Sequence, residues 1–369
     1  MKGLIFMRGF LKYYLFTFVT VLILINPQSA LLYAKSGLAL CSDVLAPALF
    51  PFFVCSSLLI YSGACRVVAR WFRPVMRPLF NVGGAGAAAF ILGIISGYPL
   101  GASCACKLYD GGYLSKTECE RLLAFCNNSG PLFILGSVGI AVYNSPKIGI
   151  MLYLAHIAAA LTVGVLFRFY KRGEVSAVPV PIYSSDDGIG EIFQKSLASS
   201  INSILTVCGA VVFFSVIANI MADLFFSNPH IRPLFLALSE LTGGIYAISH
   251  LDAPLAGKLI LSAAAAGFAG FCVHLQVMGV AAGRGLSLLP YLAGKVLHAL
   301  LAASYTALLL HFFPMTQTAF AGGSSLSGAF FAASVYTVIC TSTLALVAAA
   351  ITVFVGVRRK ISAKKQVAN

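Results

Sequence analysis

The sequence predicts an all-α polytopic membrane protein with about eight full crossings, broken or re-entrant elements, and two repeats of inverted topology. Hydrophobic residues make up 59% of the chain and charged residues only 10%, whereas soluble domains are roughly a quarter charged. Uncharged runs long enough to cross a bilayer recur along the chain. Proline and glycine interrupt runs in both halves, a pattern typical of secondary transporters.

These mostly uncharged runs mark the predicted membrane segments in chain order. The first half contains runs at residues 13–34, 37–61, 78–106, 131–143 and 148–167. The second half contains runs at residues 196–222, 233–249, 259–283 and 296–357. The last run is too long for one span, and the polar stretch 314–328 divides it into two helices. The N-terminal run is too long for a signal peptide, so we expect it to remain as a transmembrane helix.

Five regions follow from this pattern. They are an N-terminal transmembrane helix (1–36), a first repeat (37–170), a cytoplasmic linker (171–195), a second repeat (196–313), and a C-terminal transmembrane helix with a basic tail (314–369).

The basic charge of the chain sets its predicted orientation. Lys and Arg number 25 against 11 Asp and Glu, and they lie in short connections and at the two ends. This arrangement predicts a multi-pass protein of the cell membrane with cytoplasmic N- and C-termini, and no nucleic-acid partner. The charged stretch 107–121 predicts an amphipathic helix lying at the membrane interface.

Motifs for metal, cofactor or catalytic chemistry are missing from the sequence. The ten cysteines show no pairing by spacing, and the pair Cys104 and Cys106 has no second Cys or His pair to complete a metal site. The glycines near Gly84 and Gly86 follow no predicted strand, so they form no nucleotide site. We therefore expect no metal, no cofactor and no enzymatic activity.

The first interrupted segment lies around Pro99. Gly93, Gly97 and Gly101 are spaced by four, so on a regular helix they would form a small-residue stripe for close helix packing. Pro99 disturbs a regular helix instead, and it restricts the residue before it. The broken-helix alternative gives the candidate binding residues Ser96, Gly97, Tyr98, Pro99 and Gly101.

A second polar element begins a short apolar helix. It consists of Asn127, Asn128, Ser129, Gly130 and Pro131. These residue types suit an ordinary helix N-cap with proline in the first turn. The same geometry inside a membrane offers free amides and the positive end of a helix dipole to a polar solute.

The second half carries weaker counterparts of both elements. Arg77-Pro78-Leu79-Phe80 recurs as Arg232-Pro233-Leu234-Phe235, and Pro99-Leu100-Gly101-Ala102 is echoed by Pro254-Leu255-Ala256-Gly257. This order predicts a duplication that is inverted across the membrane, with 249–257 matching the first break and 270–276 the second. The added candidates are Glu240, His250, His274 and Gln276, although a lone His is more often an interhelical hydrogen-bonder.

A family resemblance rests on four segments taken in order. They are Leu49-Phe50-Pro51-Phe52-Phe53-Val54, Arg77-Pro78-Leu79-Phe80, Ser96-Gly97-Tyr98-Pro99-Leu100-Gly101-Ala102, and Glu120-Arg121-Leu122-Leu123 followed by Asn127-Asn128-Ser129-Gly130-Pro131-Leu132-Phe133-Ile134. The chain thereby resembles the YlbJ-type sporulation integral membrane proteins of the nucleoside-recognition (Gate) domain superfamily. The resemblance implies two Gate-like repeats and a role in sporulation, in particular in the spore cortex, with no established substrate. Gly130 departs from the Asn expected before the Pro.

Two functions of different classes follow. One is a small-solute permease whose unknown polar solute binds at the paired broken helices. The other is a non-transporting membrane scaffold for spore envelope assembly. The expected partners are the lipid bilayer and either a second copy of the chain or other sporulation membrane proteins.

Overall fold

The computed structural model describes residues 2–63, 65–171 and 188–313. Within these residues the chain is helical and contains no strand, which confirms the predicted all-α class. The α-helices are α1 Lys2–Ile25, α2 Pro27–Leu40, α3 Ala46–Tyr61, α4 Cys65–Phe80, α5 Gly86–Ile95, α6 Leu100–Asp110, α7 Lys116–Cys126, α8 Pro146–Phe167, α9 Ile189–Phe225, α10 Ile231–Ser239, α11 Leu241–Ser249, α12 Leu255–Phe268, α13 Gly270–Ala281 and α14 Leu289–Phe312. Two π-helical segments, Cys41–Leu45 and Leu132–Val142, complete the described elements.

The number of membrane-spanning helices differs from the prediction. By length and composition, four described segments could cross a membrane: α8, α9, Leu255–Ala281 and α14. A bent pair, Tyr13–Ile25 with Pro27–Asp43, would make a fifth if it counts as one span. The predicted total of about eight is therefore not confirmed. The predicted C-terminal helix and basic tail (314–369), and residues 172–187 of the linker, lie outside the described residues.

The N-terminal run is not the single helix that its length predicted. α1 and α2 meet at an angle of 100°, with Asn26 between them and Pro27 in the first turn of α2. α2 then continues through the π-helical turn into α3. This long stretch runs antiparallel to α9, with the Cys41 thiol 3.7 Å from the carbonyl oxygen of Cys208 and Ser57 3.4 Å from Ser200.

α5 and α6 form a tight helical hairpin. A Cβ added to Gly93 on α5 would lie 3.3 Å from the Cα of Gly101 on α6, whereas residues eight apart in one helix are separated by about 12 Å. The same Cβ would lie 1.7 Å from the carbonyl oxygen of Cys126 at the end of α7. The stripe on a regular helix is therefore wrong, because the helix breaks, and Gly93 and Gly101 instead let the two arms of the hairpin pack closely.

α7 is buried rather than interfacial, which corrects the prediction for the charged stretch 107–121. Glu118, Glu120 and Arg121 are fully buried. Glu118 accepts a hydrogen bond from the Gly83 amide at 2.8 Å, and the Arg121 guanidinium donates to three backbone carbonyls, among them that of Tyr170. These partners come from distant parts of the chain, so the local charge pattern could not reveal them.

The second half repeats this arrangement of a hairpin, a broken helix and a long helix. α10 and α11 fold back on each other at Glu240, and a Cβ on Gly244 would lie 2.1 Å from the Cα of Ala237. α12 and α13 are separated by Ala269 and Gly270, whose φ angles are 77° and 74°. α14 then packs along α8 and α12. In the first half the same order is α5–α6, then α7 with the segment Leu132–Val142, then α8.

We expect Gly93→Ala to lower the stability of the fold by about 1–3 kcal/mol or more, because the added methyl overlaps the Cys126 carbonyl. The measurement is the thermal midpoint of the purified protein in detergent. Gly209→Ala is the matched control, since a Cβ there meets no atom within 4 Å on the exposed side of α9. An unchanged midpoint for Gly93→Ala would contradict the hairpin packing.

Candidate functional site

The two hairpin tips and the two helix breaks meet around one small cavity. Its volume is about 30 Å³, which is room for about two water molecules. Each hairpin supplies its tip, each break supplies residues from its second helix, and α9 and the start of α3 close the side. The lining residues are Leu45, Leu49, Ser96, Gly97, Tyr98, Gly130, Phe133, Val207, Val211, Glu240, Leu241, Thr242, Cys272, Val273 and Gln276.

The tip of the first hairpin packs directly on the first helix break. Gly97 has a φ angle of 81°, a conformation that favours glycine, and the Tyr98–Pro99 peptide bond is cis. A Cβ on Gly97 would lie 2.9 Å from the backbone nitrogen of Gly130. Gly130 therefore contributes a close backbone approach rather than a side chain, which explains its place before Pro131 in this sequence.

The polar residues of the first break do not cap the following helix. The segment Leu132–Val142 has no side-chain cap, so the ordinary N-cap explanation is wrong here. Asn127, Asn128 and Ser129 are instead buried behind the cavity wall. Asn128 donates to the Phe125 carbonyl at 2.9 Å, and the Ser129 hydroxyl lies 3.4 Å from the carbonyl of Ala266.

Several of these buried polar atoms have no hydrogen-bond partner among the described residues. They are both side-chain amide atoms of Asn127, the Oδ1 of Asn128 and the Oε1 of Gln276. Buried polar groups are normally paired, so each of these atoms has unused capacity to bind a polar molecule or a water. Gln276 lines the cavity itself, and its Nε2 lies 3.5 Å from the Cys272 sulfur.

Glu240 forms the tip of the second hairpin. Its carboxylate accepts hydrogen bonds from the backbone amides of Thr242 at 2.9 Å and Gly243 at 2.7 Å, so it caps α11. The side chain is buried and lines the cavity. Glu240 thus brings an acidic group to the point where the first half presents Tyr98.

The sequence matched the first hairpin tip to the wrong place in the second half, whereas its match for the second break, 270–276, begins where α12 and α13 separate. Glu240 is the structural counterpart of the tip at Gly97, whereas Pro254 lies in the connection that precedes α12. His250 is exposed and lies against Tyr246 and Ser249, so the structure does not bring it to the cavity. The short similarity between residues 99–102 and 254–257 aligned a hairpin tip with a loop. Four residues do not reveal which segments of the chain turn back on themselves.

The remaining predicted residues lie next to the cavity without lining it. Pro99 and Gly101 continue from the hairpin tip into α6. The ring of His274 lies 2.8 Å from the Tyr291 hydroxyl on α14 and edge-on to Phe268, which makes it an interhelical hydrogen-bonder. Pro131 begins the turn that leads into the segment Leu132–Val142.

Lys295 is the important buried group that the sequence did not single out. It is 1% exposed, and its ammonium donates to the carbonyl of Asn127 at 3.0 Å. This places the side-chain amine at the carboxyl end of α7, where the last carbonyls of a helix have no partner within the helix. Among the described residues no carboxylate pairs with it. The uncharged run starts at residue 296, so the sequence placed Lys295 just outside the predicted membrane helix. In the structure α14 begins at Leu289, six residues before Lys295, so the lysine lies within the helix.

Two histidines lie beside this lysine. The rings of His156 on α8 and His298 on α14 are 4.3 Å apart, and His298 Nε2 lies 3.0 Å from the His156 carbonyl. His156 Nε2 accepts a hydrogen bond from the Ser129 amide at 3.1 Å. Lys295 and His156 therefore anchor the backbone of the first break from behind, and His298 packs against His156.

Nothing in the described part of the chain forms a cluster of three or more His, Cys, Asp or Glu residues that could hold a metal ion.

A comparison with known proteins gives one similar curated protein. The sporulation integral membrane protein YlbJ of Bacillus subtilis (strain 168) is 31% identical over 329 residues, which cover 80% of this chain and 81% of the relative. No family model matches the chain. No solved structure matches it.

We expect Lys295→Met to raise the stability of the purified protein by about 1–4 kcal/mol, because it removes a buried amine that has no carboxylate partner, at the cost of one hydrogen bond. The thermal midpoint in detergent measures this change. Lys258→Met is the control, since Lys258 is only partly buried and should change the midpoint little. A lower midpoint for Lys295→Met would mean that its contact with the Asn127 carbonyl outweighs the burial of its charge.

Proposed function

The chain belongs to the family of the sporulation integral membrane protein YlbJ, and on this premise we propose that this membrane protein of sporulation is a small-solute permease. The proposed site is the cavity between the two hairpin tips. A role in forming the spore cortex and membership of the wider nucleoside-recognition superfamily are parts of the same proposal. The solute is a small polar molecule.

The pairing of two interrupted elements across one cavity is the observation that carries this proposal. Irregular backbone at membrane depth is tolerated where protein or a cavity satisfies its polar groups. Each half supplies a hairpin tip, Gly97 or Glu240, and a broken helix that ends at the same cavity. Secondary transporters bind their solutes between such elements.

The unpaired polar atoms support a polar solute. Gln276 Oε1 at the cavity, and Asn127 behind its wall, have no partner among the described residues. A solute that supplied the hydrogen bond of Gln276 Oε1 would recover the free energy lost by burying this atom, which is about 1–3 kcal/mol. Tyr98 and Glu240 add an aromatic ring and an acidic group to the same lining.

The size of the cavity implies movement. A volume of about 30 Å³ holds water but no larger solute, so this conformation is closed around the site. Gly97 at the hairpin tip approaches the backbone of Gly130 at the break. Separating the tip from the break would enlarge the cavity for a solute.

The alternative function is a scaffold for spore envelope assembly. A scaffold has no need for polar atoms without partners at the centre of the molecule, since an apolar core would be more stable. The described residues offer instead a largely apolar cavity into which Tyr98, Glu240 and Gln276 bring polar groups. An intramembrane enzyme is disfavoured because the sequence carries none of the common catalytic motifs.

The proposed location is the cell membrane, with both termini in the cytoplasm. Arg168 and Lys171 follow the carboxyl end of α8, and Arg284 lies on the same side because Glu120 contacts both Lys171 and the amide of Ser287. Positive charge collects at the cytoplasmic ends of membrane helices. Lys147, at the other end of α8, then faces outward.

We expect Tyr98→Ala and Asn127→Ala each to abolish sporulation to the level of a deletion strain while protein levels stay normal. The reason is that each substitution removes a group from the site or its wall. Spore counts and immunoblots measure the two quantities, and His250→Ala is the control because this exposed histidine lies away from the cavity. Normal sporulation in both variants would contradict the proposed site.

A screen of solute uptake by purified protein in liposomes separates the permease from the scaffold. Uptake of a small polar solute that Tyr98→Ala removes is the expected result. If no solute in a broad metabolite panel enters, while the variants still fail to sporulate, the scaffold becomes the better explanation.

Cysteine labelling in a Cys-free background tests the orientation. We expect a cysteine at position 147 to react with an impermeant reagent from outside, and one at position 171 to react only after the membrane is opened. Positions 184 and 364 should behave like position 171. Labelling of 184 and 364 on opposite sides would contradict the inverted-repeat arrangement.

A further inference from the structure

α4 presents a face of arginine to the outside of the molecule. Arg70, Arg73 and Arg77 are exposed and spaced by three and four, so they lie on one side of the helix. Together with Pro74 and Pro78 they line an open cavity of about 580 Å³. We name these three residues the arginine face.

The opposite side of α4 fixes the helix to the protein. Met76 and Phe80 are buried, and the Phe80 ring stacks on Phe125 at 4.8 Å and lies 5.7 Å from Phe90. α4 is thus an amphipathic helix whose apolar side is occupied by protein. Its cationic side faces outward.

The arginine face has no ion-pair partner within the described part of the chain, unlike its cationic neighbours. Lys171 pairs with Glu120 at 3.3 Å, and Arg284 pairs with Asp110 at 2.7 Å. None of the three arginines takes part in an ion pair between described residues. Three neighbouring guanidinium groups without a carboxylate are complementary to an anion.

The position of α4 puts this face at the membrane boundary. Asn81, directly after α4, donates to the carbonyl of Arg168 at 3.3 Å, at the carboxyl end of the membrane-capable helix α8. Trp71 is 64% exposed, and tryptophan is enriched at the level of lipid headgroups. The cationic end of the molecule is the side that meets the anionic leaflet of a cell membrane.

We propose that the arginine face of α4 binds the phosphate of an anionic phospholipid headgroup. The guanidinium group matches phosphate oxygens with two parallel hydrogen bonds, which an ammonium group cannot do. The cavity leaves room for a headgroup beside Pro74 and Pro78. Lipid binding there would hold α4, and with it the base of the α5–α6 hairpin, at the membrane surface.

The single tryptophan of the chain makes the test direct. Trp71 lies next to Arg70, so its fluorescence reports on this helix and on no other. The full-length protein in detergent is titrated with phosphatidylglycerol that carries bromine on its acyl chains, which quenches a nearby indole. Parallel titrations use brominated phosphatidylcholine and inorganic phosphate.

Three variants accompany the wild type. The first replaces the three arginines by glutamine, and the second replaces them by lysine, which keeps the charge and removes the paired geometry. The charge-matched control replaces the exposed Lys107, Lys116 and Lys147 by glutamine. Should the triple glutamine variant fail to fold, Arg73→Gln alone is measured, with the thermal midpoint as the check on folding.

We expect the wild type and the charge-matched control, in which Lys107, Lys116 and Lys147 are replaced, to reach half-maximal quenching at the same phosphatidylglycerol concentration. The arginine-to-glutamine variant should need about 100-fold more lipid, and the arginine-to-lysine variant should need an intermediate concentration. Phosphatidylcholine and inorganic phosphate should leave the fluorescence unchanged. If the arginine-to-glutamine variant is quenched at the same lipid concentration as the wild type, the proposal is overturned. If the arginine-to-lysine variant matches the wild type, the paired contact between guanidinium and phosphate is overturned. A response to inorganic phosphate assigns the site to a soluble anion instead.

Discussion

The need to satisfy backbone polar groups away from water governs this structure. A membrane helix that breaks exposes amides and carbonyls that bulk water cannot reach. At the first break the Asn127 carbonyl accepts from Lys295, and the Ser129 amide donates to His156. At the second hairpin tip the Glu240 carboxylate accepts from two amides of α11. These contacts hold irregular chain at the centre of an apolar molecule.

Close packing of backbones is the second consequence. The breaks come together because glycine or alanine stands wherever two backbones meet. A Cβ on Gly294 would lie 2.4 Å from the carbonyl oxygen of Ala124, and one on Gly267 would lie 2.7 Å from the Cα of Ala299. Helices in a membrane associate through such small residues, because apolar side chains gain little by leaving lipid. α14 therefore contacts both α7 and α12 closely and links the two halves behind the cavity.

The charged residues divide into two groups with different tasks. Inside the molecule, Lys295 and Arg121 donate to backbone carbonyls beyond the ends of helices, which would otherwise be unpaired. At the surface, the arginine face of α4 has no such partner among the described residues. The first group supports the candidate site, and the second meets the membrane surface.

Local chemistry in the sequence was sufficient to predict the class of the protein and three of the places where its helices break. Its long uncharged runs make an all-α membrane protein unavoidable, and Pro99, Pro131 and Gly270 each stand at an interruption that the structure confirms. These features depend on a few consecutive residues, so the sequence alone determined them. The number of crossings, the pairing of Gly97 with Glu240 and the burial of Lys295 were decided only by tertiary structure. Each of these features depends on contacts between segments that are far apart in the chain, such as the close approach of Gly93 to the Cys126 carbonyl. A run of apolar residues has the same composition whether it crosses the membrane or turns back, so the sequence alone could not distinguish the two.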